Sequence, residues 1–175
     1  MTSRENVHSI TKKVALKKSF FNTEYCHLIF TDQRIIVAHY DPKKALEDYK
    51  RKLPKKIENE NKKTLLLKVG IKFRSAVNFH QRYLCMTPEE IVNDDPENFS
   101  ILPEDIKSLD FLKGTSCKDE DGFDTHNPDK LYIVLKKNGK KNFYLRSCFF
   151  CELCDALNQI IPEAKINECR VTYRC

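Results

Sequence analysis

The chain has 175 residues, of which 41% are hydrophobic, which is enough for one domain with its own core. No apolar run reaches the length of a spanning helix, and the first twenty residues lack the apolar region of a secretory signal. Only four glycines are present, and no glycine-rich phosphate-binding motif occurs. We therefore expect a single cytoplasmic domain over residues 1–175, without a nucleotide loop or a transmembrane segment.

Cysteine usage is high for such a chain. The eight cysteines are Cys26, Cys85, Cys117, Cys148, Cys151, Cys154, Cys169 and Cys175. In a secreted mini-protein they would indicate a disulfide framework, whereas in a cytoplasmic chain of this size we expect reduced thiols.

A β-hairpin is the clearest early feature. Residues 25–30 (YCHLIF) and 35–40 (IIVAHY) are rich in β-branched and aromatic residues, and four polar residues separate them. Because apolar side chains occupy both faces, we expect this hairpin to be well buried. A weaker pattern over residues 12–21 predicts a strand before it. His27 and His39 are expected near one another across the hairpin, and we interpret this pair as structural.

A helical insertion is predicted over about residues 42–96. Asp41 and Pro42 suit a helix start, and apolar residues at helical spacing continue to Pro54. Residues 64–84 predict a second helix with a broad apolar stripe and several basic side chains. Residues 87–90 form the pattern of a capping box and predict a short third helix, because Pro96 soon follows.

Strands are predicted again after the insertion. Residues 98–111 predict two short strands around a turn at residues 103–105, and residues 113–129 predict a flexible surface loop. Alternating apolar residues then flank Asn138-Gly139, a pair that tolerates the positive φ angles of a two-residue turn. This pattern predicts a second hairpin.

The chain is predicted to close with a helix. Apolar residues over residues 148–161 recur at spacings of three and four, which indicates one buried face, and Pro162 ends the pattern. The tail, residues 162–175, is predicted to add a short strand at residues 170–173.

Two segments resemble pleckstrin-homology-like domains of bacteria and archaea, including the GRAM-like group. Residues 29–37 (IFTDQRIIV) are similar to the family hairpin in which Leu-Thr and a later Arg precede two hydrophobic residues. Residues 86–91 (MTPEEI), continued by residues 98–101 and Ile106, resemble the helix-to-strand passage of uncharacterised prokaryotic members. With the final helix, the resemblance spans about residues 10–161.

The resemblance implies an α+β fold: a curved antiparallel sheet, partly closed as a barrel, with a C-terminal helix at one end and a helical insertion after the first hairpin. It also implies binding rather than catalysis, although a fold does not fix a function. Members that bind phosphoinositides carry a basic pattern ending in arginine. Here Lys12, Lys13, Lys17 and Lys18 are basic without the following arginine, so a specific inositol-phosphate pocket is not expected.

Charge is unevenly distributed along the chain. From Lys43 to Arg82 there are thirteen Lys or Arg and four Asp or Glu, whereas from Met86 to Asp110 there are eight acidic residues and one Lys. This asymmetry predicts either an acidic partner for the basic stretch or contact between the two stretches. The alternative is that the apolar stripe packs on the sheet or on a second copy of the chain while the lysines are solvated.

We predict a non-catalytic binding module for a protein partner or an anionic membrane surface, where it would bind peripherally. The candidate ligand-binding residues are Lys62, Lys63, Lys68, Lys72, Arg74, Arg82, Lys136, Lys137, Lys140 and Lys141. Self-association as a homo-oligomer through the apolar stripe of residues 66–83 is a further hypothesis.

A thiol or metal protein is the alternative function. Cys148, Cys151 and Cys154 have CxxCxxC spacing, and thiolates at such spacing can bind zinc or an iron–sulfur cluster. Asn158 stands where a ferredoxin-type run needs its fourth cysteine, so Cys169 or Cys175 would have to supply that ligand. Because buried thiols also serve as core residues, we predict no cofactor.

Nucleic-acid binding and catalysis have less support. Lysines surround the Asn138-Gly139 turn, with aromatic residues nearby, but the pI of 8.8 is below the usual nucleic-acid-binding range. The histidines lack metal-ligand spacing such as HExxH, and the acidic residues of positions 119–124 lack the pattern of a calcium loop. We therefore expect neither a nucleic-acid partner nor an enzyme.

Overall fold

The computed structural model describes residues 5–11, 14–19, 21–52, 73–76, 78–114, 116–118, 124–137, 139–145, 150–161 and 166–167. Within these ranges the strands are β1 (Val7–Ile10), β2 (Val14–Lys17), β3 (Thr23–Thr31), β4 (Ile35–His39), β5 (Phe99–Ile101), β6 (Ile106–Leu112), β7 (Ser116–Lys118), β8 (Asp124–His126), β9 (Asp129–Leu135), β10 (Lys140–Leu145) and β11 (Ile166–Asn167). The α-helices are α1 (Pro42–Lys52), α2 (Pro88–Asn93) and α3 (Phe150–Ile160).

Nine strands form one curled sheet. Their order is β11-β6-β9-β10-β2-β3-β4-β5, with β1 paired to β3 as well. All pairs are antiparallel except β11 with β6. Although three strands separate β10 from β5, the Lys141 ammonium lies 5.2 Å from the Phe99 ring centroid. The sheet therefore curls into a half-barrel.

The inner face of the half-barrel holds the larger apolar cluster. Every second residue of β9 is buried, as expected for a strand with one covered face. Leu153, Leu157 and Ile160 of α3 are buried in the same cluster as Leu131 and Phe143. The C-terminal helix therefore packs against the inner face of the sheet.

A second apolar cluster covers the other face of the β3–β4 hairpin. Ile29 and Ile36 belong to it, together with Phe79 and Tyr83 from a 3₁₀-helix over Phe79–Cys85 and Ile91 from α2. Since Leu28 and Val37 belong to the inner cluster, this hairpin is buried on both faces, which confirms the expectation from its sequence.

An ion-paired arginine holds the β3–β4 turn. Arg34 donates to both carboxylate oxygens of Glu5, at 2.9 and 2.6 Å, and to Glu89 of α2 at 2.7 Å. The Glu5 side chain is only 7% exposed, so this contact is largely shielded from water. Thr31 also donates to Glu5, and the turn is thereby tied to the chain before β1 and to α2.

The α+β prediction is confirmed, including the antiparallel curled sheet and the helix after the first hairpin. The turn at residues 103–105 is a 3₁₀-helix between β5 and β6, close to the prediction. The expected loop over residues 113–129 was wrong in part, because β7 and β8 pair within it. β1 was not predicted, since four residues with two polar positions carry too short a pattern.

The predicted helix of residues 64–84 differs in its last part. Residues 73–76 are helical, but Phe79–Cys85 is a 3₁₀-helix, which rotates side chains differently from an α-helix. Phe73 and Leu84 of the predicted stripe are 70% and 69% exposed, whereas Tyr83 is buried. Among the helices of the described residues, none combines the length and apolar character that crossing a membrane requires.

Candidate functional site

Two hairpin tips lie side by side at one end of the sheet. Strand β2 pairs with β10 so that Lys17 is opposite Asn142. The chain beyond Lys17 therefore runs beside the beginning of β10. The described residues of the β2–β3 loop (18, 19, 21 and 22) and of the β9–β10 turn (136, 137 and 139) thus form one surface, which we call the tip surface.

The β9–β10 turn brings the predicted lysines together. The Leu135 amide donates to the Gly139 carbonyl at 2.8 Å, and Gly139 has φ +70°, which glycine adopts without strain. Four lysines flank this turn, and Lys136, Lys137 and Lys140 are exposed while Lys141 is half-buried.

Two of these lysines also contact aromatic rings. The Lys140 ammonium lies 4.0 Å from the Tyr132 ring centroid on β9, and Lys141 faces Phe99 of β5. Such cation–π contacts hold an ammonium near a surface without neutralising its charge. The turn therefore presents fixed positive charge at the end of the sheet.

The β2–β3 loop carries an aromatic residue that sequence analysis missed. The Lys18 and Ser19 amides donate to the Asn22 carbonyl at 3.0 and 3.2 Å, which closes a tight turn. Within it, Phe21 is 95% exposed. The signal in the sequence was Phe20-Phe21 between lysines and Asn22, but the predicted strand of residues 12–21 concealed the turn.

Arg82 is placed inside an ion-pair network. Its guanidinium contacts Asp48 at 3.0 Å and Asp94 at 2.8 Å, and it lies 5.0 Å from the Phe79 ring centroid. Lys44 pairs with Asp94 as well, at 2.7 Å. The network joins α1 to the end of α2, so some of the basic stretch does face the acidic stretch. The Arg82 guanidinium is therefore already ion-paired, and its side chain is mostly buried.

Of the remaining basic candidates, the structure describes only one. Arg74 is exposed on the helical residues 73–76. Lys62, Lys63, Lys68 and Lys72 lie outside the described residues, as do residues 66–72 and 77 of the apolar stripe of residues 66–83. Binding through these lysines, and self-association through the stripe, stay predictions.

The CxxCxxC candidates also stay a prediction. Cys151 and Cys154 belong to α3 by their backbone, while their side chains, with Cys148, Cys169, Cys175 and the strand expected at residues 170–173, lie outside what the structure describes. Two other cysteines are free thiols: Cys26 is buried in β3, and Cys85 is exposed.

His27 and His39 point to opposite faces of the first hairpin. His27 is opposite Ala38, a residue of the outer cluster, and its ring lies 5.8 Å from the Tyr83 ring centroid. His39 is opposite Cys26, a residue of the inner cluster. The two histidines therefore do not form a pair.

In comparisons with known proteins, no family model, curated sequence or solved structure matches this chain.

Proposed function

We propose that the protein is a non-catalytic binding module that docks peripherally on an anionic membrane through its tip surface. The observation that carries the proposal is the junction of a protruding phenylalanine with a lysine-rich turn at one end of the sheet. The curled sheet with α3 against its inner face also fits the pleckstrin-homology-like resemblance of the sequence.

The two tips supply complementary contributions. Burial of a phenylalanine side chain in an apolar phase is worth about 1.5–3 kcal/mol. Each lysine near an anionic surface adds about 1 kcal/mol, and Lys136, Lys137 and Lys140 are exposed. Neither contribution alone gives stable binding, but a hydrophobic contact combined with basic residues gives reversible, salt-sensitive attachment.

Flotation of the purified full chain with vesicles tests this proposal. We expect binding to phosphatidylserine-containing vesicles at low salt, weaker binding at moderate salt, and none to pure phosphatidylcholine. Phe21→Ser and the pair Lys136→Glu/Lys137→Glu should each weaken the apparent affinity for these vesicles at least about tenfold, because each removes a contribution of more than 1.4 kcal/mol.

A matched control separates the tip surface from general charge. Lys43→Glu/Lys50→Glu changes the net charge equally, and both lysines are exposed on α1. This variant should bind nearly as well as the unaltered chain. Equal loss in the control, or no effect of Phe21→Ser, would contradict docking through the tip surface. Absence of binding to every vesicle would leave a protein partner as the ligand.

A further inference from the structure

A mixed cluster of carboxylates and imidazole lies at the same end of the half-barrel. Glu24 is opposite Leu16 on β2, and His39 is opposite Cys26 on β3. Because paired residues project to the same face of a sheet, and Leu16 and Cys26 belong to the inner cluster, Glu24 and His39 point toward the mouth of the half-barrel. Polar side chains there replace the apolar residues found deeper inside.

Glu97 completes the cluster from a third chain segment. Its carboxylate Oε2 lies 3.3 Å from His39 Nδ1, and one ligand atom from each of Glu24, His39 and Glu97 lies within 4.8 Å of the others. Asn98 fixes this arrangement, since its side chain accepts from the His39 amide and donates to the Ile91 carbonyl, both at 2.6 Å. These two hydrogen bonds connect the segment that carries Glu97 to β4 and to α2, and so keep Glu97 beside His39.

The cluster already holds a cation. The Lys18 ammonium contacts Glu24 at 2.5 Å and Glu97 at 3.8 Å. Lys18 is therefore the internal counter-ion of both carboxylates. Lys18 stands on the β2–β3 loop, and its side chain is 44% exposed. Displacement of this ammonium toward the solvent by a metal ion would leave two carboxylates facing one imidazole.

From this geometry we infer that Glu24, His39 and Glu97 form a binding site for a divalent transition-metal ion of the Zn²⁺ class, for which Lys18 is a competing internal cation. One imidazole nitrogen and two carboxylate oxygens are ligands that Zn²⁺ accepts, and a three-residue set leaves a fourth position for water. In a tetrahedral site the ligand atoms lie about 3.3–3.6 Å from one another. The 3.3 Å between His39 and Glu97 already meets this spacing, and the widest separation, at most 4.8 Å, would have to shorten by up to about 1.5 Å. Hard ions such as Mg²⁺ prefer all-oxygen sets and should bind less tightly.

Titration of the reduced full chain with Co²⁺, followed by displacement with Zn²⁺, tests the inference. Co²⁺ gives visible d–d bands in nitrogen and oxygen sites, and an additional thiolate charge-transfer band when cysteine binds it. We expect one Co²⁺ per chain without the thiolate band. The thiols of residues 148–175 would give that band, so the two metal hypotheses are distinguished within one spectrum.

Substitutions then assign the ligands. His39→Gln and Glu97→Gln should each weaken binding at least about tenfold, whereas His8→Gln, which alters an exposed histidine on β1, should not. Lys18→Met should strengthen binding about tenfold, because it removes the competing charge. Circular dichroism confirms that each variant is folded.

Co²⁺ binding by the Lys18→Met variant distinguishes a metal site from an ion-pair network that has no affinity for metal. In a network without metal affinity, Lys18→Met produces no Co²⁺ spectrum of the nitrogen and oxygen type. That result, a spectrum with only the thiolate band, or equal affinities of the His39→Gln and His8→Gln variants would overturn the inference. These measurements contain no vesicles, so a negative result would contradict the metal site without contradicting the membrane proposal.

Discussion

Cys26 shows how the environment of one residue sets its chemistry. It lies on β3 among the apolar side chains of the inner cluster and is 1% exposed. Burial raises the pKa of the Cys26 thiol to about 12, with the charge of Glu24 as a smaller cause in the same direction. The thiolate, which is the reactive form, is therefore nearly absent at neutral pH while the protein is folded.

We predict that iodoacetamide modifies Cys85 but not Cys26 in the folded protein at pH 8. Cys85 is exposed on the 3₁₀-helix, whereas Cys26 is shielded and protonated. Peptide mapping by mass spectrometry after a short pulse measures both sites, and the same pulse in urea, where both should react, is the control. Comparable modification of both cysteines without urea would refute the buried position of β3.

The same thiol contributes to the pH dependence of stability. Its folded-state pKa is raised above the ordinary value of 9.0, so its contribution is complete below about pH 9. The free energy of unfolding therefore falls as the pH rises from about 9 toward 12, because over this range the unfolded chain releases the thiol proton more readily than the folded chain does.

Some residues of the candidate sites could be predicted from the sequence, and others could not. The lysines around Gly139 could be predicted, because a turn between two alternating strands is exposed. The two-residue turn expected at Asn138-Gly139 was wrong in its length, since Lys140 lies opposite Val134 and the Leu135 amide donates to the Gly139 carbonyl. The cluster of Glu24, His39 and Glu97 could not be predicted, since it depends on the pairing of β3 with β4 and on a turn more than fifty residues later in the chain. The sequence predicted the β3–β4 hairpin, but no local pattern indicated its register or the later turn that brings Glu97 beside it.

Helix α2 begins with a complete capping box. Thr87 accepts from the Glu90 amide at 3.3 Å, and the Glu90 side chain accepts from the Thr87 amide at 2.7 Å, which completes the capping box predicted from the sequence. The hydrogen bond that the Thr87 amide donates to the Glu90 carboxylate lowers the pKa of Glu90, with the Thr87 side chain as a smaller cause in the same direction. The helix has only six residues, yet it places Ile91 in the outer cluster.

We expect Thr87→Ala to lower the free energy of unfolding by about 1 kcal/mol, since the first amides of α2 lose their acceptor. Thr87→Ser keeps the hydroxyl and should cost only a few tenths of that amount. Urea denaturation followed by circular dichroism measures both. If the two variants were equally destabilised, the loss would come from the methyl group and not from the cap.

Secondary-structure elements with longer periodic patterns in the sequence were predicted more successfully than short ones. The two hairpins and the last helix extend over six or more residues with a clear period, and the structure contains all three. Strands β7 and β8 have three residues each and lie in a polar segment, so the sequence offered only the signals of a loop. The 3₁₀-helix of Phe79–Cys85 was predicted as α-helix because both have closely similar apolar spacings.

For the whole molecule, the β3–β4 hairpin couples the two apolar clusters. Leu28 and Phe30 belong to the inner cluster, while Ile29 between them belongs to the outer one. Neither cluster can lose its packing without exposing one face of the same two strands. We therefore expect the described parts of the insertion that pack on this hairpin, the 3₁₀-helix and α2, to unfold together with the sheet.

We predict that Leu131→Ala in the inner cluster and Ile91→Ala in the outer cluster shift a single unfolding transition. Both side chains are fully buried, so each truncation should cost about 2–5 kcal/mol. Tyrosine fluorescence and circular dichroism should give coincident urea transitions for both variants. Asn93→Ala, at an exposed position on α2, is the control. A separate early transition in Ile91→Ala would show that the insertion unfolds on its own.

The pairing of β2 with β10 has a consequence for the order of events during synthesis. Strand β3 finds β1, β2 and β4 close by in the chain, so these four strands can assemble as soon as they leave the ribosome. The free edge of β2, however, waits for β10, which is made much later. Until then its unpaired amides and carbonyls are a template for pairing with another nascent chain. A polypeptide that stops before residue 140 would keep this edge open, and aggregation rather than simple loss of binding is the expected fate of such a truncated product.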